Sequence, residues 1–253
     1  MSLRTAVLHT RGGQALRGWY WDLLRIKGQV ARAVDPLEWK NRGYDRDTVR
    51  VMRRVLRPTS TCVDVGCFKG TVLAHMVEIA PQGEHYAFEP IPDRIADLQA
   101  RFPGVHIVPA ALAEVEGEAV FHVAVDRPAY SGLSQRPDLS PDEYRQIRVR
   151  TARLDDVIPP TTKIDFVKID VEGGELEVVR GGTQTLRASQ PYVVFERGGG
   201  EKTFGVFEVL TSCGLRISTL ARWLAGAPPL TFADYRLNAG RDFYFLAYPS
   251  GDR

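Results

Sequence analysis

Three short segments concentrate the residue types that do chemistry. The first is Asp64-Val65-Gly66-Cys67-Phe68-Lys69-Gly70, an acid and two glycines where an apolar run turns into a helical pattern. Glycine permits a tight turn and close approach of a ligand, and the helix N-terminus beyond it offers unpaired N–H groups. Such a turn serves dinucleotides, phosphates or adenosylmethionine, and it also occurs with a purely structural role. The spacing is G-x-x-x-G rather than G-x-G-x-x-G and no G-K-[ST] follows, which weakens the dinucleotide reading and excludes a P-loop. The second is Glu89, at the end of the next apolar run and at the distance where an acid meets ribose hydroxyls. A solvated strand-end glutamate is the alternative. Together the two segments favour an adenosine-containing cofactor without separating adenosylmethionine from NAD.

The third segment is Lys168-Ile169-Asp170-Val171-Glu172-Gly173-Gly174-Glu175. It follows an apolar run, so Asp170 and Glu172 belong at the carboxyl end of a strand, the rim where open α/β sheets bind ligands. Neighbouring carboxylates can raise one pKa and supply a general base, or hold Mg²⁺ through oxygen ligands. Glu196 ends a later apolar run and points to the same rim. Asp170, Glu172 and Glu196 are therefore the candidate catalytic acids, with Asp170 and Glu196 as the candidate Mg²⁺ pair. Glu175 and Glu177 fall in the first turn of the next helix, where the dipole favours acids, and are assigned to the helix start. None of His75, His85, His106 or His122 maps to the rim, so they read as structural; His9 has no assignment.

The elements that must position these groups follow from periodicity. Helical spacing marks 14–34, a basic amphipathic stretch that either packs its apolar stripe on the domain or lies on a membrane or over a cleft. A second helix is predicted over 45–56. From residue 60, strands at 61–65, 86–88 and 105–108 alternate with helices, the signature of a parallel sheet covered on both faces. The rhythm pauses at 119–125 and 148–154, which alternate like exposed or edge strands around a loop at 126–146. A loop of that length is often a lid or binding loop, and Tyr130 and Ser131 are its candidate substrate contacts. Strands return at 164–169, 192–195, 215–218 and 243–247, with helices at 175–186 and 204–211. Gly198-Gly199-Gly200 adds flexibility beside Glu196. The expected organisation is a helical extension over 1–58 and one domain over 59–253.

Bulk composition agrees with a globular domain. The 253 residues are 44% hydrophobic and 25% charged, enough for a sizeable core. Thirty-three basic and 31 acidic side chains leave a net charge of +2, which makes no case for a nucleic-acid partner. Cys62, Cys67 and Cys213 lack C-x-x-C spacing, so neither a zinc knuckle nor a disulfide framework is expected. No signal-peptide pattern and no apolar run of about 18 residues is present, so a cytoplasmic protein without a transmembrane segment is expected.

The residues also resemble a known family. Val63-Asp64-Val65-Gly66, Glu89-Pro90, Leu154-Asp155-Asp156, the Lys168–Glu175 segment, Arg180-Gly181-Gly182 and the run ending in Glu196 look like the FkbM-type methyltransferases over about residues 60–247. The resemblance implies a doubly wound, mostly parallel seven-stranded sheet (α/β, Rossmann-like, class I) behind a helical N-terminal extension. It implies an S-adenosylmethionine-dependent O-methyltransferase, with a sugar or oligosaccharide hydroxyl as acceptor and polyketide, lipid or other natural-product hydroxyls as the alternative. A nicotinamide-dependent oxidoreductase and a non-catalytic scaffold are weaker readings. By this resemblance Asp64, Gly66, Cys67 and Gly70 line the methionine end of the cofactor. Glu89 holds the ribose beside Pro90 and Ile91, and Ala111 flanks the adenine. The family often has Ala-Asn where this chain has Cys67-Phe68, which removes one side-chain hydrogen bond to the cofactor. A homo-oligomer is compatible with all of this.

Overall fold

A computed structural model describes residues 36–136, 138–197, 202–238 and 242–252, with backbone alone for 36–42. The predicted helix over 14–34 and Gly198–Gly200 lie outside the described residues. The chain divides into two units, 1–46 and 47–253. Helix α1 runs over Pro36–Val55, beginning well before the predicted residue 45. Proline suits a helix's first turn, where its missing N–H would have no partner anyway.

The second unit holds every strand among the described residues. Strands β1 (Cys62–Val65), β2 (His85–Phe88) and β3 (Val105–Val108) alternate with α2 (Thr71–Ile79) and α3 (Pro92–Arg101). After β4 (Ala111–Leu112), β5 (Gly117–Ala124), β6 (Tyr144–Ala152) and the single-turn α4 (Leu154–Val157) come β7 (Phe166–Ile169), α5 (Glu175–Gly181), α6 (Thr183–Ser189) and β8 (Tyr192–Glu196). The chain ends with α7 (Lys202–Ser212), β9 (Leu215–Thr219), α8 (Leu220–Leu224), α9 (Phe232–Leu237) and β10 (Tyr244–Pro249). Seven strands form the main sheet in the order β3-β2-β1-β7-β8-β10-β9. β10 is antiparallel to both of its neighbours, whereas β1, β2, β3, β7 and β8 run parallel. The strand order reverses between β1 and β7, and that switch point opens a crevice at the carboxyl ends of the strands.

The predicted strands at 119–125 and 148–154 exist with shifted bounds but do not edge the main sheet. They are β5 and β6, paired antiparallel from Gly117↔Thr151 to Ala124↔Tyr144 in a separate sheet with β4. Alternation reports that one face of a strand is wet; it does not say which strand lies beside it.

Side-chain parity divides the main sheet into two unlike faces. Val63, Val65, Phe88, Val167, Ile169, Val193, Phe195, Phe245 and Ala247 share one apolar layer, buried under α5 and α7. Cys62, Ala87, Phe166, Val194 and Leu246 face the other way, against Met52 of α1, Leu73 and Met76 of α2, and Leu220 of α8. On this second face the next positions toward the carboxyl ends are Asp64, Lys168, Asp170, Glu196 and Tyr244. One face therefore carries the polar groups, at the mouth of the switch point. No helix among the described residues is long and apolar enough to cross a membrane.

Gly66 holds the two halves of the sheet together at that mouth. Its φ is +75°, and a Cβ there would lie 2.1 Å from the Asp170 carbonyl oxygen. Gly66→Ala is expected to lower the unfolding free energy by about 2–4 kcal/mol, from left-handed strain plus the displaced strand end. Urea denaturation measures it, and an unchanged midpoint would show that the turn relaxes without cost.

Candidate active site

The glycine turn satisfies itself. The N–H groups of Gly66 and Cys67 both donate to the Phe88 carbonyl, at 3.1 and 3.2 Å, and that of Gly70 donates to the Cys67 carbonyl at 2.7 Å. A Cβ on Gly70, whose φ is +70°, would lie 2.7 Å from the Phe102 ring. The close approaches that require glycine thus come from the protein's own backbone and side chains, and the N–H groups of Gly66, Cys67 and Gly70 are not presented to a ligand. Cys67 is buried in the apolar layer, and burial pushes its thiol far above the usual range. Phe68 adopts φ +50°, a left-handed conformation costly for an aromatic residue.

Asp64 is the unsatisfied group of this turn. It is 1% exposed, and neither carboxylate oxygen has a hydrogen-bond partner of acceptable geometry. Burial pushes its pKa up to about 6; Lys168 opposes the shift and Asp170 adds to it, while the Leu73 N–H helps weakly from outside hydrogen-bonding geometry.

Glu89 is not a solvated strand-end residue. It is buried, and its oxygens accept the Phe68 and Ile91 N–H groups, each at 3.0 Å. Nη1 of Arg94, on α3, donates to both oxygens at 3.3 and 3.4 Å. Burial raises the Glu89 pKa even so, with Arg94 opposing. Pro90 is half-buried beside it. Ile91 and Ala111 are both buried in the apolar cluster beneath the small sheet.

Asp170, Glu196 and Tyr244 form a row across β7, β8 and β10. Tyr244 lies opposite Glu196 in the register, and both side chains hydrogen-bond to Asp170. Lys168, two residues before Asp170 on the same face, is buried and places Nζ 2.5 Å from Asp170 Oδ2. It also stands opposite Asp64 across the β1–β7 ladder. Burial works against ionisation of Asp170, but the side chain keeps 33% of its surface, and Lys168 holds its pKa below the usual range. Glu196 shifts the other way, up to about 9, from burial first and then the charge of Asp170. Within the row, Lys168 favours an ionised Asp170, and burial beside that charge favours a neutral Glu196.

Glu172 pairs with Nη1 of Arg136 at 2.7 Å, and burial still raises its pKa. Glu175, read from sequence as a helix-start acid, is only 4% exposed and is pushed by burial up to about 8. The 126–146 loop is ordered by its own hydrogen bonds. His122 and Gly132 exchange backbone bonds at 2.9 and 3.1 Å. The Ser131 hydroxyl accepts from the Ala124 N–H and donates to the Pro128 carbonyl, so this predicted substrate contact is engaged within the loop. The Tyr130 ring lies 4.2 Å from the Arg136 guanidinium. Of the histidines at strands, His85 is held in the structure at both ring nitrogens, donating from Nε2 to the Ala80 carbonyl and accepting the Cys62 N–H at Nδ1.

With this geometry in place, residues 64–217 match the family described as Methyltransferase FkbM domain. The chain belongs to the FkbM methyltransferase family. It is 26% identical over 159 residues to the 2-O-methyltransferase NoeI of Sinorhizobium fredii, which covers 55% of this chain and 65% of that protein. It is 26% identical over 205 residues to the hexuronic acid methyltransferase AglP of Haloferax volcanii, 76% of this chain and 81% of that one. The crystal structure of the methyltransferase FkbM from Methylobacillus flagellatus superimposes with a TM-score of 0.50 at 15% identity, over 76% of this chain and 44% of that one. The chain therefore spans just under two thirds of NoeI and less than half of the solved structure. The fold is the doubly wound class I methyltransferase sheet expected from the sequence.

Sequence reasoning missed Lys168, Arg94 and Arg136, inside the matched FkbM domain, and Tyr244, beyond it, as candidate site residues. Lys168 carried a signal, a cation inside the apolar strand Phe166-Val167-Lys168-Ile169. Tyr244 carried none, because its place beside Glu196 exists only through an antiparallel pairing. The donor set does not fit the Mg²⁺ expected at Asp170 and Glu196. Asp170 is paired with Lys168, and among the described residues no group of three or more acids, histidines or cysteines is arranged to hold a metal.

Glu175 makes a pH prediction. Its folded-state pKa of about 8 exceeds the ordinary 4.5, so the folded protein holds a proton that the unfolded chain loses. The stability this contributes is complete below about pH 4.5 and is lost as pH rises toward about 8. Glu175→Gln removes that dependence while keeping an acceptor for the Gly173 N–H. The unfolding free energy of the variant relative to wild type is expected to rise steadily across this window in urea titrations. A constant difference would mean that Glu175 ionises normally.

Proposed function

We propose that this protein transfers a methyl group from S-adenosylmethionine to a hydroxyl of a sugar or oligosaccharide. The observation that carries the cofactor reading is Asp64, a buried carboxylate with no hydrogen-bond partner, one strand away from Glu89 at the switch point. A buried anion without a partner is costly, and a cationic ligand group relieves it. Adenosylmethionine, when bound, supplies a methyl group on a sulfonium and presents an ammonium to such an acid. Glu89 holds the ribose diol, with Pro90 and Ile91 beside it and Ala111 toward the adenine. The acceptor class rests on the family and on relatives named as a 2-O-methyltransferase and a hexuronic acid methyltransferase.

In this reading the chain's residues supply orientation and a proton acceptor. Asp170 receives the hydroxyl proton. An alcohol oxygen becomes strongly acidic as its new bond to carbon forms, so a carboxylate of low pKa suffices. Lys168 keeps Asp170 ionised, and Glu196 remains a neutral donor behind it. Glu172 and Tyr130 line the acceptor side, held by Arg136.

The test is isothermal titration of S-adenosylhomocysteine into wild type and Glu89→Ala. Micromolar binding to wild type, weakened roughly 5- to 150-fold in the variant by loss of about 1–3 kcal/mol of hydrogen bonding, is the expected result. Absence of binding to folded wild type would remove the cofactor assignment.

A further inference from the structure

We propose that Arg94 is a positioning residue that couples the Glu89 pocket to the 128–136 loop, so that cofactor binding releases the loop and admits the acceptor second. This rests on the assignment of Glu89 to the ribose.

The inference starts from how Glu89 is occupied. A carboxylate offers about four acceptor positions. The Phe68 and Ile91 N–H groups take one on each oxygen, with short 3.0 Å bonds. Nη1 of Arg94 sits across both oxygens at 3.3 and 3.4 Å, long for a charge-assisted pair. A ribose diol needs one acceptor position on each oxygen, so it competes with Nη1 and not with the two backbone donors.

The same guanidinium reaches the loop. Nη2 donates to the Pro128 carbonyl at 3.1 Å, and the guanidinium carbon lies 4.2 Å from the Phe68 ring centroid. Phe68 makes that platform from a left-handed backbone, φ +50°, a strained conformation retained where the side chain's position matters. The guanidinium is planar and rigid, so Nη1 cannot leave Glu89 while Nη2 keeps its bond to Pro128 undisturbed. At its far end the loop is tied by Arg136 to Glu172, and Gly132 packs so closely that a Cβ would lie 2.9 Å from the Glu172 carbonyl oxygen. The loop thus bridges the crevice from the Glu89 side to the Asp170–Glu172 side. Displacing Arg94 loosens the end nearer the cofactor and leaves the other tied. Cofactor binding then opens the loop, and the acceptor follows.

Amide hydrogen exchange, read with and without S-adenosylhomocysteine, tests this on the whole chain. The reporters are the His122, Tyr130 and Gly132 amides, whose bonds hold the loop in shape. In wild type, saturating ligand is expected to speed their exchange by about tenfold. Arg94→Met, which keeps the apolar stem over Phe68, is expected to exchange at the faster rate with or without ligand and to bind at least as tightly as wild type. Arg94→Lys, with a point charge in place of the fork, is expected to behave like Arg94→Met at the loop. Slowed or unchanged loop exchange on ligand binding to wild type would overturn the proposal. So would an Arg94→Met loop that still responds to ligand. Failure of the ligand to bind wild type at all is read by titration, and it would fall on the cofactor assignment itself.

Discussion

The charge of one buried lysine organises this site. Lys168 lies inside the main sheet between two acids, opposite Asp64 in the β1–β7 register and hydrogen-bonded to Asp170 two residues on. An ammonium in that environment is stable only if paired, and removing its charge would leave two carboxylates close together in a poorly solvated place. One cation does not balance both acids. It settles on Asp170, which stays ionised, and leaves Asp64 with a raised pKa and no hydrogen-bond partner. Burial, and then the charge of Asp170, push the Glu196 pKa up to about 9, which disfavours a third negative charge. The shifts across the three strands β1, β7 and β8 follow from burial together with that pairing.

The sheet can hold such a row because its two faces are filled differently. Parity sends Val63, Val65, Val167, Ile169, Val193 and Phe195 into a continuous apolar layer on one side. The opposite face is apolar near the amino ends, at Cys62, Phe166 and Val194, and turns polar only at the carboxyl ends. Core and site therefore share strands without sharing positions. The glycine turn completes the arrangement by allowing Gly66 and the Asp170 carbonyl to meet, which brings the ends of β1 and β7 together. What looks in sequence like a ligand-binding turn is also a device for closing the sheet.

The small sheet adds a second level. β5 and β6 carry a loop whose Ser131 hydroxyl and His122–Gly132 bridge hold it in shape. Two arginines attach it to the rim, Arg94 through Pro128 and Arg136 through Glu172. Arg94 pairs with the buried Glu89 and Arg136 with the part-buried Glu172, and each also lies over an aromatic ring, Phe68 or Tyr130. Glu89 and Glu172 thus have structural partners in place, whereas Asp64 has none.

Much of this was legible in the chain itself. Apolar periodicity located the seven strands of the main sheet and helices α2, α3 and α7, ran α5 and α6 together, and missed β4, α4, α8 and α9. The positions of Asp64, Glu89, Asp170 and Glu196 at or near the ends of apolar runs placed them on one rim, because a strand must end where its apolar run ends. Helix α1 starts earlier than its cap residues suggested, since a helix can begin at a proline and run through a glycine such as Gly43 at modest cost. The pairing of β5 with β6 in a sheet of their own, the burial of Glu175, and the placement of Tyr244, Arg94 and Arg136 came only with the tertiary structure. Local pattern reports which face of an element is wet, whereas a hydrogen bond between residues 34 to 36 positions apart depends on where the chain returns. Protonation states lie furthest from the sequence, because they depend on burial and on neighbouring charges that exist only in the folded sheet.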